Sequence, residues 1–186
     1  MKKFLLFLTF CIGIICGFIT DIFLPPIREV PENTADNNTV LANMDVNNIL
    51  VKKAMRKMYL RHDDINVRTY NISLGKQPKG AKTHQGDNKT PEGEYHIVSH
   101  NPNSAYHLSL KISYPTREQR EYAEKNGYSA GGDIMIHGFP NKAPDFIFTR
   151  IHKKFDWTAG CIAVTDQEIE EIFELVKDGT PITIEP

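Results

Sequence analysis

The chain has 186 residues, 40% of them hydrophobic, and a formal charge of −1. That is room for one ordinary domain with a packed core behind an N-terminal segment. From Asn47 to Pro186, 19 Lys and Arg stand against 18 Asp and Glu. No basic field is present to attract nucleic acid and no acidic one to attract polycations, so recognition falls to local groups.

Met1-Lys2-Lys3 precedes an apolar run from Phe4 to Ile19 that continues through Asp21 to Leu24. Two lysines before such a run form an export signal. The run approaches the length of a membrane span, and no Ala-x-Ala-like site follows it. An uncleaved anchor to the inner membrane is therefore favoured over a cleaved signal, with residues 1–24 as signal peptide or signal anchor. Cys11 and Cys16 lie inside this run without the small neighbours expected before a lipidated cysteine. Residues 25–47 carry Pro25-Pro26, Pro31 and an Asn/Asp/Thr-rich stretch and read as a flexible linker. A short helix near Val40 to Met44 is the alternative there.

Residues 48–186 are the expected folded domain. Ile49-Leu50-Val51 and Met58-Tyr59-Leu60 are rich in strand formers, and Arg61-His62-Asp63-Asp64 signals a turn. Val67 to Leu74 alternates apolar and polar residues as a half-buried strand does. Gly80 through Gly93 is dense in turn formers, including Gly86 and Asp87, and predicts a shaped loop feeding a strand Glu94 to Val98. His84, His96 and His100 match no zinc spacing, so no metal is expected, and no cofactor. Tyr106 to Ser113 predicts another strand. Thr116 with Gln119 fits a capping box opening a charged surface helix Arg117 to Lys125. Gly131-Gly132-Asp133 then introduces an apolar strand Ile134-Met135-Ile136 that delivers His137 into a turn at Gly138. Phe146 to Ile151 reads as a connection. A final helix, Asp166 to Val176, carries Thr165 as its N-cap, and Pro181 to Ile184 is a closing strand. The reading is mainly β with a few helices (α+β), with six to eight strands and two helices.

Asp156-Trp157-Thr158-Ala159-Gly160-Cys161 holds the one cysteine outside the N-terminal run. A leftover thiol in an exported protein is an intermolecular link or a reactive group. Gly160 lets the chain bend closely around a substrate. Backbone N–H groups at such a bend are suited to stabilise the oxyanion that forms when a thiolate attacks a carbonyl. Cys161 is the expected nucleophile and His137 its base, lowering the thiol well below its ordinary value of about 8.5. His152, between Ile151 and Lys153-Lys154, reads as an exposed loop residue. Thr158, Gly138, Tyr106 and Arg150 are candidates for substrate binding or support, as are Lys153 and Lys154. Trp157 reads as packing around the loop, and Asp133 as a residue that orients a neighbour or ends a turn.

Three blocks together resemble the L,D-transpeptidase (YkuD-like) catalytic domain: Gly131 to Gly138, Thr158-x-Gly160-Cys161, and Gly86-Asp87-x-x-Thr90-Pro91-x-Gly93-x-Tyr95. The resemblance runs from about Ile49 to Ile184, and the Asp156 to Val164 run is similar to a branch that includes YafK-type periplasmic proteins. It implies a β-sandwich-like domain behind an N-terminal apolar helix, acting in the periplasm on peptidoglycan stem peptides. Cys161 would form a thioester at the L-centre of meso-diaminopimelate, with the Gly160 and Cys161 N–H groups as the oxyanion hole. An amine acceptor then gives transpeptidation and cell wall remodelling; water gives hydrolysis, as an L,D-carboxypeptidase or an amidase releasing a protein from diaminopimelate. A non-catalytic wall-binding module is the reading from another class. Two departures stand out: Ala159 occupies the place of a histidine common in the family, and Ala163 and Val164 stand where a polar Asn or Arg is common.

Overall fold

Alternation decides the first strands. In β1 (Asn48–Lys52), Ile49 and Val51 are buried while their neighbours are half-exposed, and β2 (Lys57–His62) does the same with Met58 and Leu60. Successive side chains on a strand point to opposite faces, so each strand contributes one apolar row to a common interior. A computed structural model describes residues 44–142, 145–152 and 154–186. The expected N-terminal segment, nearly all of the linker and all but the last residue of the helix considered at residues 40–44 lie outside these residues. Among the described residues no helix is long and apolar enough to cross a membrane.

The remaining elements are β3 (Ile65–Asn71), β4 (Gly93–Ser104), β5 (His107–Ile112), α1 (Arg117–Lys125), β6 (Met135–His137), α2 (Asp145–His152), β7 (Ile162–Ala163), α3 (Asp166–Leu175) and β8 (Pro181–Glu185). The architecture is mainly β with a few helices, as the sequence implies. The strands form one sheet in the order β3-β2-β1-β8-β4-β5-β6-β7. The twelve-residue β4 joins its halves: Gly93 to His96 pair with β8, and Ile97 to Ser104 pair with β5. The ends of that order meet. Ser73, just past β3, exchanges backbone hydrogen bonds of 3.0 and 2.9 Å with Ala163 of β7. The sheet therefore closes around a core of Ile49, Val51, Leu60, Ile97, Leu110 and Ile136, with Ile169 and Ile172 of α3 packed in.

Both expected helices form, and both carry the capping boxes the sequence encodes. Thr116 and Gln119 satisfy each other's backbone amides at α1, as do Thr165 and Glu168 at α3. Two readings need correction. The segment expected as a connection forms the third helix, α2. The strand expected over Val67 to Leu74 ends at Asn71, because Ser73 leaves to bridge Ala163 and the Leu74 amide donates to the Asp156 carboxylate at 3.0 Å.

The loop before β4 is held from within. Lys82 and Asp87 pair at 2.7 Å with side chains only 4% and 5% exposed. The Asp87 carboxylate also accepts from the amides of Thr83, His84 and Lys89. Burial pushes its carboxyl up, but the Lys82 ammonium and these three amides together hold it down at about 2. Asp87→Asn would leave the buried Lys82 ammonium with the His84 carbonyl but no counter-charge, and is expected to lower the unfolding free energy by roughly 3 kcal/mol in urea titrations. A loss below about 0.5 kcal/mol would mean that the pair behaves like a surface one. Because the folded carboxyl is depressed, the stabilisation is present above the ordinary carboxylate range and disappears as the pH falls toward 2.

Candidate active site

His137 is positioned by backbone on both sides. Its own strand residue stands opposite Ser109 of β5 and Ala163 of β7. Its carbonyl accepts the Val164 amide at 3.0 Å, and the following Gly138 amide donates to Tyr106 O at 3.1 Å. No side chain fits at Gly138. A Cβ there would lie 2.5 Å from Asp166 Oδ1 and 3.0 Å from Ile169 Cγ2. The same Asp166 oxygen accepts the Phe139 amide at 2.7 Å, tying the turn after His137 to the N-terminus of α3.

The imidazole is 4% exposed. Its Nδ1 lies 2.7 Å from Gly138 O. A carbonyl only accepts, so Nδ1 carries the proton and Nε2 is left as the basic nitrogen. Tyr106 packs with its ring centroid 4.5 Å from that of His137, and Trp157 with its centroid 5.7 Å away. Burial pushes the imidazole down to about 4, against the smaller upward pull of the Gly138 carbonyl. His137 is thus neutral at physiological pH.

Cys161 sits on a loop locked at several points. Thr158 exchanges backbone hydrogen bonds with Leu74 O at 3.1 Å and the Lys76 amide at 3.0 Å. Asp156 takes Arg56 through Nε and a terminal nitrogen, at 3.0 and 2.7 Å. Gly160 has φ +138° and abuts the preceding loop, where a Cβ would meet Lys89 O at 2.7 Å. Only glycine combines that dihedral with that approach. Thr158 Oγ1 accepts the Gly160 amide at 3.1 Å and donates to Cys161 O at 2.8 Å. The expected oxyanion role of Gly160 is corrected by this bond, since its N–H is already committed. The Cys161 amide has no acceptor among the described residues.

The Cys161 thiol is half-buried and donates to Asp133 O at 3.5 Å. It lines two adjoining clefts of about 540 and 510 Å³. His137, Tyr106, Trp157 and Thr158 share the first with it; Lys82 and Gly86 share the second. Burial pushes the thiol up, Asp133 pushes it further, and a Met135 backbone hydrogen bond and Lys82 oppose them with a net upward result. The expectation of a thiol already activated at rest is therefore corrected. A half-buried sulfur and a buried imidazole both disfavour charge, so this pair rests as thiol and imidazole.

His152 is also corrected. It is 1% exposed at the end of α2, with Nδ1 3.2 Å from Ser73 Oγ and Nε2 3.2 Å from Asn71 O. Its basic neighbours suggested solvent, but the helix turns it inward beneath the loop, where Phe139 packs at a centroid distance of 5.4 Å. Arg150 and Lys154 are solvent-exposed and line neither cleft; Lys153 lies outside the described residues. His84 packs on Tyr128, while His100 binds Asp178, so the three upstream histidines do not converge. Sequence reasoning missed Lys76 and Met135, which line the first cleft. Nothing in their spacing marks them; they arrive through the Lys76–Thr158 bond and the pairing of β6.

The family model for the L,D-transpeptidase catalytic domain, YkuD, matches residues 47–184. YafK of Escherichia coli (strain K12) is 30% identical over 124 residues, which is 66% of this chain and 40% of YafK. A mutant of the helical cell shape determining protein Pgp2 from Campylobacter jejuni superposes with TM-score 0.56 at 26% identity, over 77% of this chain and 48% of that one. Bd1075 of Bdellovibrio bacteriovorus gives TM-score 0.50 at 25% identity, over 75% and 48%. The chain spans less than half the length of each of these relatives.

Gly160→Ala is expected to cost about 1–3 kcal/mol of stability from its dihedral alone. It should also slow Cys161 alkylation by a neutral reagent, as the loop backs away from Lys89. Unchanged melting temperature and unchanged alkylation would show that the loop is not locked as described. In the parent protein, the alkylation midpoint should lie above the ordinary thiol value of about 8.5.

Proposed function

The chain belongs to the L,D-transpeptidase catalytic domain (YkuD) family, and from that membership we propose that it performs cysteine-dependent acyl transfer on peptidoglycan stem peptides outside the cytoplasmic membrane. The observation that carries this reading is the pairing, in one cleft, of the lone domain thiol with an imidazole whose Nδ1 is committed to Gly138 O. That leaves Nε2 as the one nitrogen able to take a proton.

The steps follow from the resting charges. On substrate binding, His137 Nε2 takes the thiol proton as the sulfur attacks the stem-peptide carbonyl. The Cys161 amide faces the developing oxyanion. Collapse breaks the C–N bond, and the imidazolium returns its proton to the departing amine, leaving a thioester on Cys161. An acceptor amine then attacks; Nε2 removes its proton, the C–S bond breaks, and the sulfur is reprotonated. Water in the acceptor's place gives hydrolysis. Thr158 holds the loop shape through Gly160 and Cys161, while Tyr106 and Trp157 shield the ring. A neutral pair at rest avoids two buried charges, which appear only when substrate fills the cleft.

The likeness to Pgp2, named for determining helical cell shape, supports wall remodelling as the setting. Residues 1–24 would tether the domain to the inner membrane and residues 25–47 would act as the tether's linker.

Purified protein with defined tetrapeptide muropeptides tests the reading, with products weighed by mass spectrometry. Cys161→Ala should abolish turnover, and His137→Ala should reduce kcat/KM by about 10²–10⁴-fold. Turnover that survives Cys161→Ala overturns the proposal. Because His137 stays neutral down to about pH 4, the acid limb of kcat/KM should fall near that value and not near 6.5. Adding an acceptor amine should yield a crosslinked product; hydrolysed stem alone would assign the protein to the hydrolases.

A further inference from the structure

Asp133 is the residue next to the thiol that the mechanism leaves without a task. It has φ +53°. A non-glycine residue there carries a backbone cost that aspartate and asparagine bear best. That dihedral follows Gly131-Gly132 in the loop leading into β6, and the Asp133 carbonyl is the one that accepts the Cys161 thiol at 3.5 Å. Its side chain is 78% exposed and lines both clefts, as Cys161 does. One carboxylate oxygen takes Lys111 at 2.9 Å; the other has no partner among the described residues. The Lys111 side chain is itself 42% exposed, and an ion pair so open to water is weak enough to yield to an incoming cation.

The other charges facing the clefts do not duplicate it. Lys82 is bound to Asp87. Lys76, at the rim of the first cleft, forms no ion pair among the described residues. Asp133 is thus the acid lining either cleft. We propose that Asp133 is a specificity-determining residue that sets the charge selectivity of the thiol site, receiving a cationic group of the substrate, a primary ammonium, beside the reacting carbon. This rests on Cys161 being the nucleophile and extends that reading to the kind of substrate the site admits. A carboxylate at this place repels anionic groups from the sulfur and holds an amine-bearing partner close to the thioester.

The test reads the local field without requiring turnover. The full chain is treated with three methanethiosulfonates: cationic trimethylammonioethyl, anionic sulfonatoethyl and neutral methyl. Modification of the Cys161 peptide is timed by mass spectrometry, which separates it from Cys11 and Cys16. The cationic-to-anionic rate ratio cancels any change in thiol ionisation, because both reagents meet the same thiolate. Asp133→Asn, whose shape and dihedral tolerance match the parent, should lower that ratio by roughly tenfold. Lys111→Met should raise it, and Glu94→Gln, on the exposed face of β4, should leave it unchanged. A ratio that Asp133→Asn does not move, with Cys161 still reactive, overturns this proposal alone. A thiol inert to all three reagents overturns the nucleophile reading and this one with it.

Discussion

The hydrogen bond from His137 Nδ1 to the Gly138 carbonyl fixes what this site can do. At 2.7 Å it commits one ring nitrogen to a backbone oxygen of the adjacent residue. The imidazole then has one tautomer and one basic edge. Everything around it maintains that arrangement. Gly138 can turn because it lacks a Cβ, and α3 closes over the turn through Asp166. Tyr106 and Trp157 keep water from the ring. The bond thus depends on β5, β6 and α3 together, and a fold that misplaced any of them would lose the base.

The thiol is positioned by a different device. The Cys161 loop is clamped to the segment after β3, by Thr158 with Leu74, and to the loop before β4, by Gly160 against Lys89, while Asp156 with Arg56 ties it to the turn between β1 and β2. The Lys82–Asp87 pair stiffens the second of these supports. Sheet closure through Ser73 and Ala163 brings these parts to one place. Base and nucleophile therefore come from separate structural units that meet only when the sheet closes. This gives the site precise placement without a strong interaction between the two groups at rest. Burial keeps each uncharged, and the separation of charge is deferred to the reacting complex.

Much of this was legible in the residues. The strand rows at Ile49/Val51 and Met58/Leu60 follow the period of two, the α1 capping box was written in the spacing of Thr116 with Gln119, and the α3 N-cap in Thr165. Cys161 and His137 stood out as chemistry-bearing residues at glycine bends. The sequence could not convey burial. His152 looked exposed because of its basic neighbours, yet the turn of α2 places it inside. The thiol looked activated because a histidine was available, yet burial and the Asp133 charge push it up. Gly160 looked like an oxyanion donor until Thr158 Oγ1 took its amide. Each miss concerns long-range packing or a competing local hydrogen bond, neither of which has a periodic signature.

The chemistry of the site rests on His137 being a buried, neutral base protonated on Nδ1. Nitrogen-detected NMR of the ring tests it most directly, using protein labelled at histidine and assigned with His137→Gln. The expected spectrum shows a protonated Nδ1 hydrogen-bonded to a carbonyl, an unprotonated Nε2 at neutral pH, and titration near pH 4. A ring protonated on Nε2, or one that titrates near 6.5 as a solvated histidine does, would contradict it.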